Sequence, residues 1–170
     1  MRRLDPLTPA TAKGAAQDLL TDLVARNGTV GAMVSTMAHS PAVLGGYLQL
    51  SRAIKRARLD RRISERISIA VQTLLGCQLC LESHTAAAER LGIQADEIDR
   101  ARSGTSADAT VAPMVEFGVL VYRSPSSVTD GHLDRLRTLG YSDREIADVV
   151  GLVSLNVLTG TFNLVAGLEP

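Results

Sequence analysis

The sequence predicts an all-α protein, a helical bundle organised as one domain over residues 1–170. Three observations support this prediction. No segment alternates apolar and polar residues for long enough to form a strand and a hairpin. Apolar residues between positions 63 and 75 recur at the spacing of a buried helical face. Residues that favour helix starts, and glycines that favour helix ends, punctuate most of the chain.

The helices of the first half are predicted from their starts. Thr8-Pro9 places a capping residue before a proline, which suits the first helical position, so a helix is expected from there to about residue 26. Ser40-Pro41 repeats the arrangement and predicts a helix to about residue 57. Asp60 is expected to cap a third helix, which Gly76 interrupts.

The second half is predicted to contain shorter helices and one long final helix. The expected segments are 77–91, ended by Gly92, then 95–102, 111–123 and 129–139. Ser142 and Glu145 have the spacing of a capping box, in which each side chain satisfies the other's exposed amide. The helix that follows is expected to reach about residue 166, with allowance for a break near Gly151.

The composition argues against nucleic-acid binding. Eighteen Lys and Arg residues balance eighteen Asp and Glu residues, so the formal net charge is +0. A general nucleic-acid binder would show a basic excess. There is no Trp, and with three Tyr and two Phe the chain has few rings on which bases could stack.

The sequence favours a cytoplasmic protein that does not span a membrane. Charged residues interrupt the N-terminal region where a signal peptide needs its apolar segment. Residues 149–168 carry no charge and are long enough to cross a bilayer. They also contain five Ser, Thr and Asn residues and three glycines, which predicts a helix buried in the core or in a subunit interface.

Cys77, Cys80 and His84 are predicted to share one stripe of a helix, because their spacings are three and four residues. At a spacing of three, the cysteines are about 5–6 Å apart, within the range for a disulfide. An imidazole one turn from Cys80 can take or return a thiol proton. Cys77, in the first turn, would lie where the helix dipole favours a thiolate. The arrangement suits thiol redox chemistry.

Three other interpretations fit this pattern less well. Core packing would need two cysteines and a histidine to fall on one stripe by chance. A zinc site usually needs four ligands, and the other histidines are isolated: His39 is expected in a loop and His132 on the surface. A thioredoxin fold has a strand before its Cys-x-x-Cys motif, whereas here an amphipathic helix and Gly76 precede it.

Together with Glu65, these residues resemble a known family signature. Glu65, eleven residues, then Cys77-x-x-Cys80-x-x-x-His84 is similar to the site of the alkylhydroperoxidase D-like branch of the carboxymuconolactone decarboxylase family. The resemblance extends upstream to residues 40–44 and Tyr47, and downstream to 142–167 with Asn156 and Asn163. It implies an all-helical fold that assembles as a homotrimer or as a homohexamer, a dimer of trimers.

The resemblance also implies a role for each site residue. Cys80 would be the thiolate that attacks the peroxide and becomes a sulfenic acid. Cys77 would be the resolving thiol and proton donor, and His84 and Glu65 would form the proton relay. The implied substrate is an organic hydroperoxide or a partner's disulfide, and a lipoyl-type or thioredoxin-like reductant, or a peroxiredoxin partner, would exchange electrons with the pair.

The sequence departs from the family at one position and leaves two other functions open. Some family members have His or Tyr before the second cysteine, where this chain has Leu79. Glu82 would oppose thiolate formation if it faced the site, but its helical angle places it on the other side. The alternatives are a carboxymuconolactone decarboxylase-type lyase, and a redox-sensing or scaffold protein without substantial turnover. No nucleotide-binding, P-loop or haem-attachment motif is present, so no bound organic cofactor is expected.

Overall fold

The structure is a computed structural model that describes residues 1–170, and it confirms the all-α prediction. Nine α-helices and one short 3₁₀ turn, Pro125–Ser127, follow one another along the chain. The helices are α1 (Ala15–Asn27), α2 (Ala32–Met37), α3 (Pro41–Ile54), α4 (Arg61–Leu75), α5 (Gln78–Arg90), α6 (Ala95–Arg102), α7 (Ala112–Arg123), α8 (Asp130–Thr138) and α9 (Asp143–Ala166).

Helix α4 lies at the centre of the fold, because α5, α6, α7 and α9 all pack against it. Its start is fixed by Asp60, whose carboxylate accepts hydrogen bonds from the amides of Arg62 and Ile63. Its end is fixed by Gly76, which has φ 75°, a conformation that costs glycine least. The main core joins α4, α7, α8 and α9 through thirteen buried side chains that include Ile67 and Val149.

Helix α9 is long and apolar enough to cross a membrane by length and composition alone. In the fold it packs against α2, α3, α4 and α7, and eight of its residues are buried. The predicted capping box is present: Ser142 accepts from the Glu145 amide, and Glu145 accepts from the Ser142 amide. One face of α9 is therefore buried in the core, one of the two placements that the sequence predicted.

Two predicted boundaries were wrong, and the break allowed for near Gly151 does not occur. Thr8-Pro9 does not start a helix: Thr8 and Thr11 bond to each other in a turn, and α1 begins only after Gly14, whose φ is 54°. Helix α3 stops at Ile54 rather than near residue 57. Helix α9 is continuous through Gly151, where the missing side chain lets Ile54 approach: a Cβ at Gly151 would lie 2.9 Å from its Cδ1.

Candidate active site

The cysteine pair lies where α4 passes into α5. Gly76 reverses the chain, and Cys77 then occupies the N-cap of α5 in an extended conformation. Its Sγ accepts the Cys80 amide at 3.4 Å, which satisfies one of the unpaired amides of a helix start. Cys77 thus precedes the first turn rather than forming part of it, which corrects the sequence prediction.

Cys77 and Cys80 are joined as a disulfide, with their Cα atoms 5.4 Å apart. Both are buried, with 2% of Cys77 and 6% of Cys80 exposed. They are the only cysteines of the chain, and neither is free. The expected closeness of the pair is confirmed, and reversible thiol chemistry is available at this junction.

Glu65 and His84 form a hydrogen bond between α4 and α5. The distance between His84 Nδ1 and Glu65 Oε2 is 2.7 Å, and Arg61 lies 3.6 Å from the other carboxylate oxygen. Glu65 is buried, with 8% exposed, so it is not the solvated surface charge that most helical glutamates are. In neutral His84, an Nδ1–H donated to the carboxylate leaves Nε2 as a proton acceptor.

A cavity of about 480 Å³ brings these groups together. Cys80, His84 and Glu65 all line it, whereas Cys77 does not. Leu79, the departure from the family pattern, also faces it. The remaining walls come from α2, α3, α4, α5 and α9 and the connection between α3 and α4: Met33, Tyr47, Ser51, Ile54, Lys55, Ala57, Leu59, Arg61, Ser64, Ser68, Ser83, Leu152, Leu155, Asn156, Thr159 and Asn163.

Two asparagines of α9 reach this cavity, and the sequence assigned neither a role. Asn156 is fully paired: Gln72 donates to its Oδ1 at 2.9 Å, and its Nδ2 donates to Ser68 Oγ at 3.0 Å. Asn163 donates from Nδ2 to Cys80 Sγ at 3.2 Å. The sequence signal was limited to two asparagines, seven positions apart, within the uncharged part of α9 that the family resemblance includes.

Three residues that were predicted to lie outside the site do lie outside it. Glu82 is exposed and accepts a hydrogen bond from Gln78 at 3.0 Å. His39 lies in a turn, where Nε2 contacts the Asp5 carbonyl oxygen at 2.9 Å. His132 is exposed and forms a capping box with Thr129 at the start of α8. None of the three lines the cavity.

Residues 41–117 match the model of the carboxymuconolactone decarboxylase family. This segment contains Glu65, both cysteines and His84. No protein of curated function matches the sequence.

Solved structures match nearly the whole chain. An uncharacterised peroxidase-related protein from Ralstonia eutropha JMP134, described as an alkylhydroperoxidase AhpD core, aligns at a TM-score of 0.83 and 17% identity, covering 99% of this chain and 92% of that one. A peroxidase-related protein from Silicibacter sp. TM1040 aligns at 0.78 and 18%, covering 99% and 93%. A Cys-to-Ala variant of the debrominase Bmp8, bound to 2,3,4-tribromopyrrole, aligns at 0.73 and 15%, covering 98% and 90%.

At these identities the structural likeness establishes the fold. The family match covers the segment that contains the predicted site residues, and the resemblance is confirmed. Residues 41–117 thus match the carboxymuconolactone decarboxylase family model, and the whole chain has a fold similar to that of the alkylhydroperoxidase AhpD core.

Proposed function

We propose that this protein is a thiol-dependent hydroperoxide reductase that works as a disulfide oxidoreductase. One observation carries the proposal: Cys80, bonded to Cys77, lines the same cavity as the hydrogen-bonded pair His84 and Glu65. Nucleophile, resolving thiol and proton-transfer group are thereby within one site.

In the first step, the Cys80 thiolate attacks the terminal oxygen of the hydroperoxide. An S–O bond forms and the O–O bond breaks, so the sulfur loses two electrons and the peroxide gains them. Cys80 becomes a sulfenic acid, and the leaving alkoxide takes a proton to become an alcohol. Cys80 is suited to the attack because it, and not Cys77, faces the cavity.

In the second step, the Cys77 thiol attacks the sulfenic acid. A disulfide forms and the hydroxyl group leaves as water, taking the thiol proton. The Cα separation of 5.4 Å supports closure without rearrangement of the backbone, since disulfides span about 4.4–6.8 Å. A dithiol donor of the lipoyl or thioredoxin type then reduces the disulfide by thiol exchange, through a mixed disulfide. A peroxiredoxin partner is the alternative recipient or source of electrons.

His84 and Glu65 would move the protons of both steps. The carboxylate holds Nδ1, so Nε2 is the nitrogen left to take the proton of the Cys80 thiol and later to supply one to the alkoxide. Burial of Glu65 keeps this hydrogen bond away from bulk water, which would otherwise compete for the imidazole.

The cavity favours an organic hydroperoxide over hydrogen peroxide. Its apolar walls include Ile54, Leu79, Leu152 and Leu155. A volume of about 480 Å³ falls within the range of small-molecule sites, about 300–1,000 Å³. An alkyl or aryl substituent would bury apolar surface against these side chains.

The direct test is turnover of an organic hydroperoxide with a reduced lipoyl-type dithiol as donor. We expect repeated turnover in the wild type and none in Cys80→Ser. Absence of turnover together with disulfide formation that changes the assembly size would favour a redox sensor. Unreactive thiols together with decarboxylation of a lactone acid would favour the lyase.

A labelling experiment tests where the substrate binds. The chain has two lysines: Lys55 lines the cavity, and Lys13 is exposed outside it. A bound, unreactive analogue such as the product alcohol should protect Lys55 from acylation and leave Lys13 unprotected. If saturating analogue left the labelling of Lys55 unchanged, as it should leave that of Lys13, the binding site would lie elsewhere.

We also propose that the protein is cytoplasmic and forms a homotrimer or a homohexamer. Val150, Leu164 and Val165 support assembly, because they are exposed on the outer face of α9 although they are apolar. Sedimentation equilibrium would give the subunit number, and a monomer at micromolar concentration would contradict the assembly.

A further inference from the structure

We propose that Asn163 is the group that stabilises the Cys80 thiolate and binds the hydroperoxide, so that its amide forms the peroxide-binding subsite. The inference rests on the proposed function, which identifies Cys80 as the nucleophile. It adds a residue 83 positions away in sequence from that cysteine.

The first observation is the hydrogen bond from Asn163 Nδ2 to Cys80 Sγ, at 3.2 Å. Asn163 is 3% exposed, so the contact is shielded from water. A thiolate only accepts hydrogen bonds, and so do disulfide sulfurs. In both oxidation states the amide must therefore present its NH₂ group to Cys80. A hydrogen bond to an ionised acceptor is stronger than one to a neutral acceptor, so this contact favours the thiolate over the thiol.

The second observation concerns the other half of the same amide. Asn163 Oδ1 is buried and has no hydrogen-bond partner within the protein. Buried acceptors are rarely left unpaired in folded proteins. Because Asn163 is one of the residues that line the cavity, we take a donor on a molecule bound there as the partner that this oxygen lacks.

The third observation is that the backbone holds Asn163 in place. It lies in the last turn of α9, where its carbonyl oxygen accepts the Leu168 amide at 2.9 Å. Gly167 closes the helix with φ 67°. The amide therefore meets Cys80 from a fixed position at a helix end.

The chemistry of a hydroperoxide fits this amide. The terminal oxygen of ROOH carries the only acidic proton and is also the atom that a thiolate attacks. If Asn163 Oδ1 accepts that O–H while Nδ2 holds the sulfur, one side chain places the attacked oxygen beside the nucleophile. Two groups held in attack geometry by one rigid amide gain rate through orientation.

Asn156 shows why this role belongs to Asn163. Both asparagines are buried on α9 and line the cavity. The amide of Asn156 is fully used by Gln72, Ser68 and the Leu152 carbonyl, and so has a structural role. Asn163 instead bonds to the reactive sulfur and keeps an unpaired oxygen.

The test uses Cys77→Ser as the parent, because Cys80 is then the only thiol of the chain. Asn163→Leu removes both halves of the amide. Asn163→Asp keeps an acceptor oxygen and removes the donor. Thr161→Ala is the control: it also alters a polar residue of α9, but Thr161 is exposed and does not line the cavity. Helical content by circular dichroism checks that each variant folds.

Two rates separate the two halves of the proposal. The rate of alkylation by iodoacetamide, measured as a function of pH, reports the fraction of Cys80 that is thiolate. The rate of oxidation by cumene hydroperoxide, measured by trapping the sulfenic acid as an adduct, depends on that fraction and also on substrate binding. We expect Asn163→Leu to shift the alkylation profile to higher pH and to lower the rate at neutral pH about tenfold, the effect of losing one charge-assisted hydrogen bond. Asn163→Asp should shift the profile further in the same direction, because its carboxylate would also repel the neighbouring thiolate. At alkaline pH, alkylation should recover in both, but oxidation only in Asn163→Asp. Thr161→Ala should follow the parent.

Asn163 variants that match the parent in both rates would overturn the proposal. Equal recovery of oxidation in Asn163→Leu and Asn163→Asp would overturn the peroxide-binding half alone. Failure of the proposed function looks different, because the parent itself would then resist the hydroperoxide. The alkylation profiles would still decide whether Asn163 stabilises the thiolate.

Discussion

His84 Nδ1 lies 2.7 Å from a carboxylate oxygen of Glu65, across the contact between α5 and α4. The hydrogen bond joins two residues 19 positions apart and fixes the orientation of the only histidine that lines the cavity. A positioned imidazole is the group expected to carry protons in a thiol reaction near neutral pH. The carboxylate should therefore matter although its hydrogen bond is to the imidazole and to neither sulfur.

Glu65→Gln is expected to lower the rate of hydroperoxide reduction at neutral pH about a hundredfold. The neutral amide can still accept a hydrogen bond from His84, but it no longer stabilises the imidazolium form. Steady-state kinetics would show the loss in kcat. Glu82→Gln is the matched control, because Glu82 is exposed on α5 and pairs only with Gln78. Equal rates for the two variants would contradict the relay.

Cys77 is expected to show two separable roles. In Cys77→Ser the sulfenic acid on Cys80 should accumulate, since no second thiol can resolve it. The serine hydroxyl can still accept the Cys80 amide, so the N-cap of α5 is kept. Cys77→Ala loses this cap and should be less stable than Cys77→Ser by about 1 kcal/mol. Urea unfolding of both variants under reducing conditions measures the difference, and equal stabilities would count against the cap.

Gly160 should tolerate no side chain. A Cβ there would lie 2.5 Å from Gln72 Oε1 and 2.9 Å from Leu75 Cδ1, so Gly160→Ala is expected to destabilise the fold by about 1–3 kcal/mol. Gly46 lies within α3 with nothing inside 4 Å of its Cβ position. Gly46→Ala should stabilise the protein by about 0.5–1 kcal/mol through helix propensity alone. Chemical denaturation measures the change in the free energy of unfolding for each variant. Changes of the same sign for both substitutions would contradict the packing of α9 on α4.

Glu97 is expected to make stability depend on pH. Burial opposes its ionisation, but hydrogen bonds from Ser106, the Ala107 amide and Arg66 outweigh this and hold its pKa below the ordinary value of 4.5. Because the pKa is lowered in the folded state, the stabilisation is complete above the ordinary value and is lost as the pH falls through the folded one.

Unfolding free energies measured at neutral and acidic pH test this sign. Glu97→Gln should be less stable than the wild type at neutral pH, because Arg66, which is 7% exposed, loses its charged partner. The difference should shrink as the solution becomes acidic. Glu89→Gln, an exposed change on α5, should leave the pH dependence as it is. A Glu97→Gln difference that grew in acid would contradict the assignment.

Sequence predicted what depends on neighbouring residues. Asp60, Ser40 and Ser142 cap helices in the structure because their side chains reach amides two or three positions ahead. The cysteines and His84 were predicted close together for the same reason, since they lie within one helix and its cap. The short helix α2 carries no comparable start signal and was missed.

The parts that sequence did not predict depend on distant contacts. The packing of Ile54 against Gly151 of α9 joins residues nearly a hundred positions apart. The contact of Asn163 with Cys80 spans 83 positions, and that of Asn156 with Gln72 spans 84. Periodicity marks these α9 residues only as helical, and it contains no information on which side chain meets them.

The most direct test of the central claim is the intact mass of the reduced protein before and after one equivalent of an organic hydroperoxide. The account predicts that the wild type loses two hydrogens as Cys77 and Cys80 join, while Cys80→Ser gains no oxygen and forms no sulfenic adduct. A wild-type mass that stays at the reduced value, with both thiols still open to alkylation, would contradict the claim that Cys80 is a peroxide-reducing nucleophile.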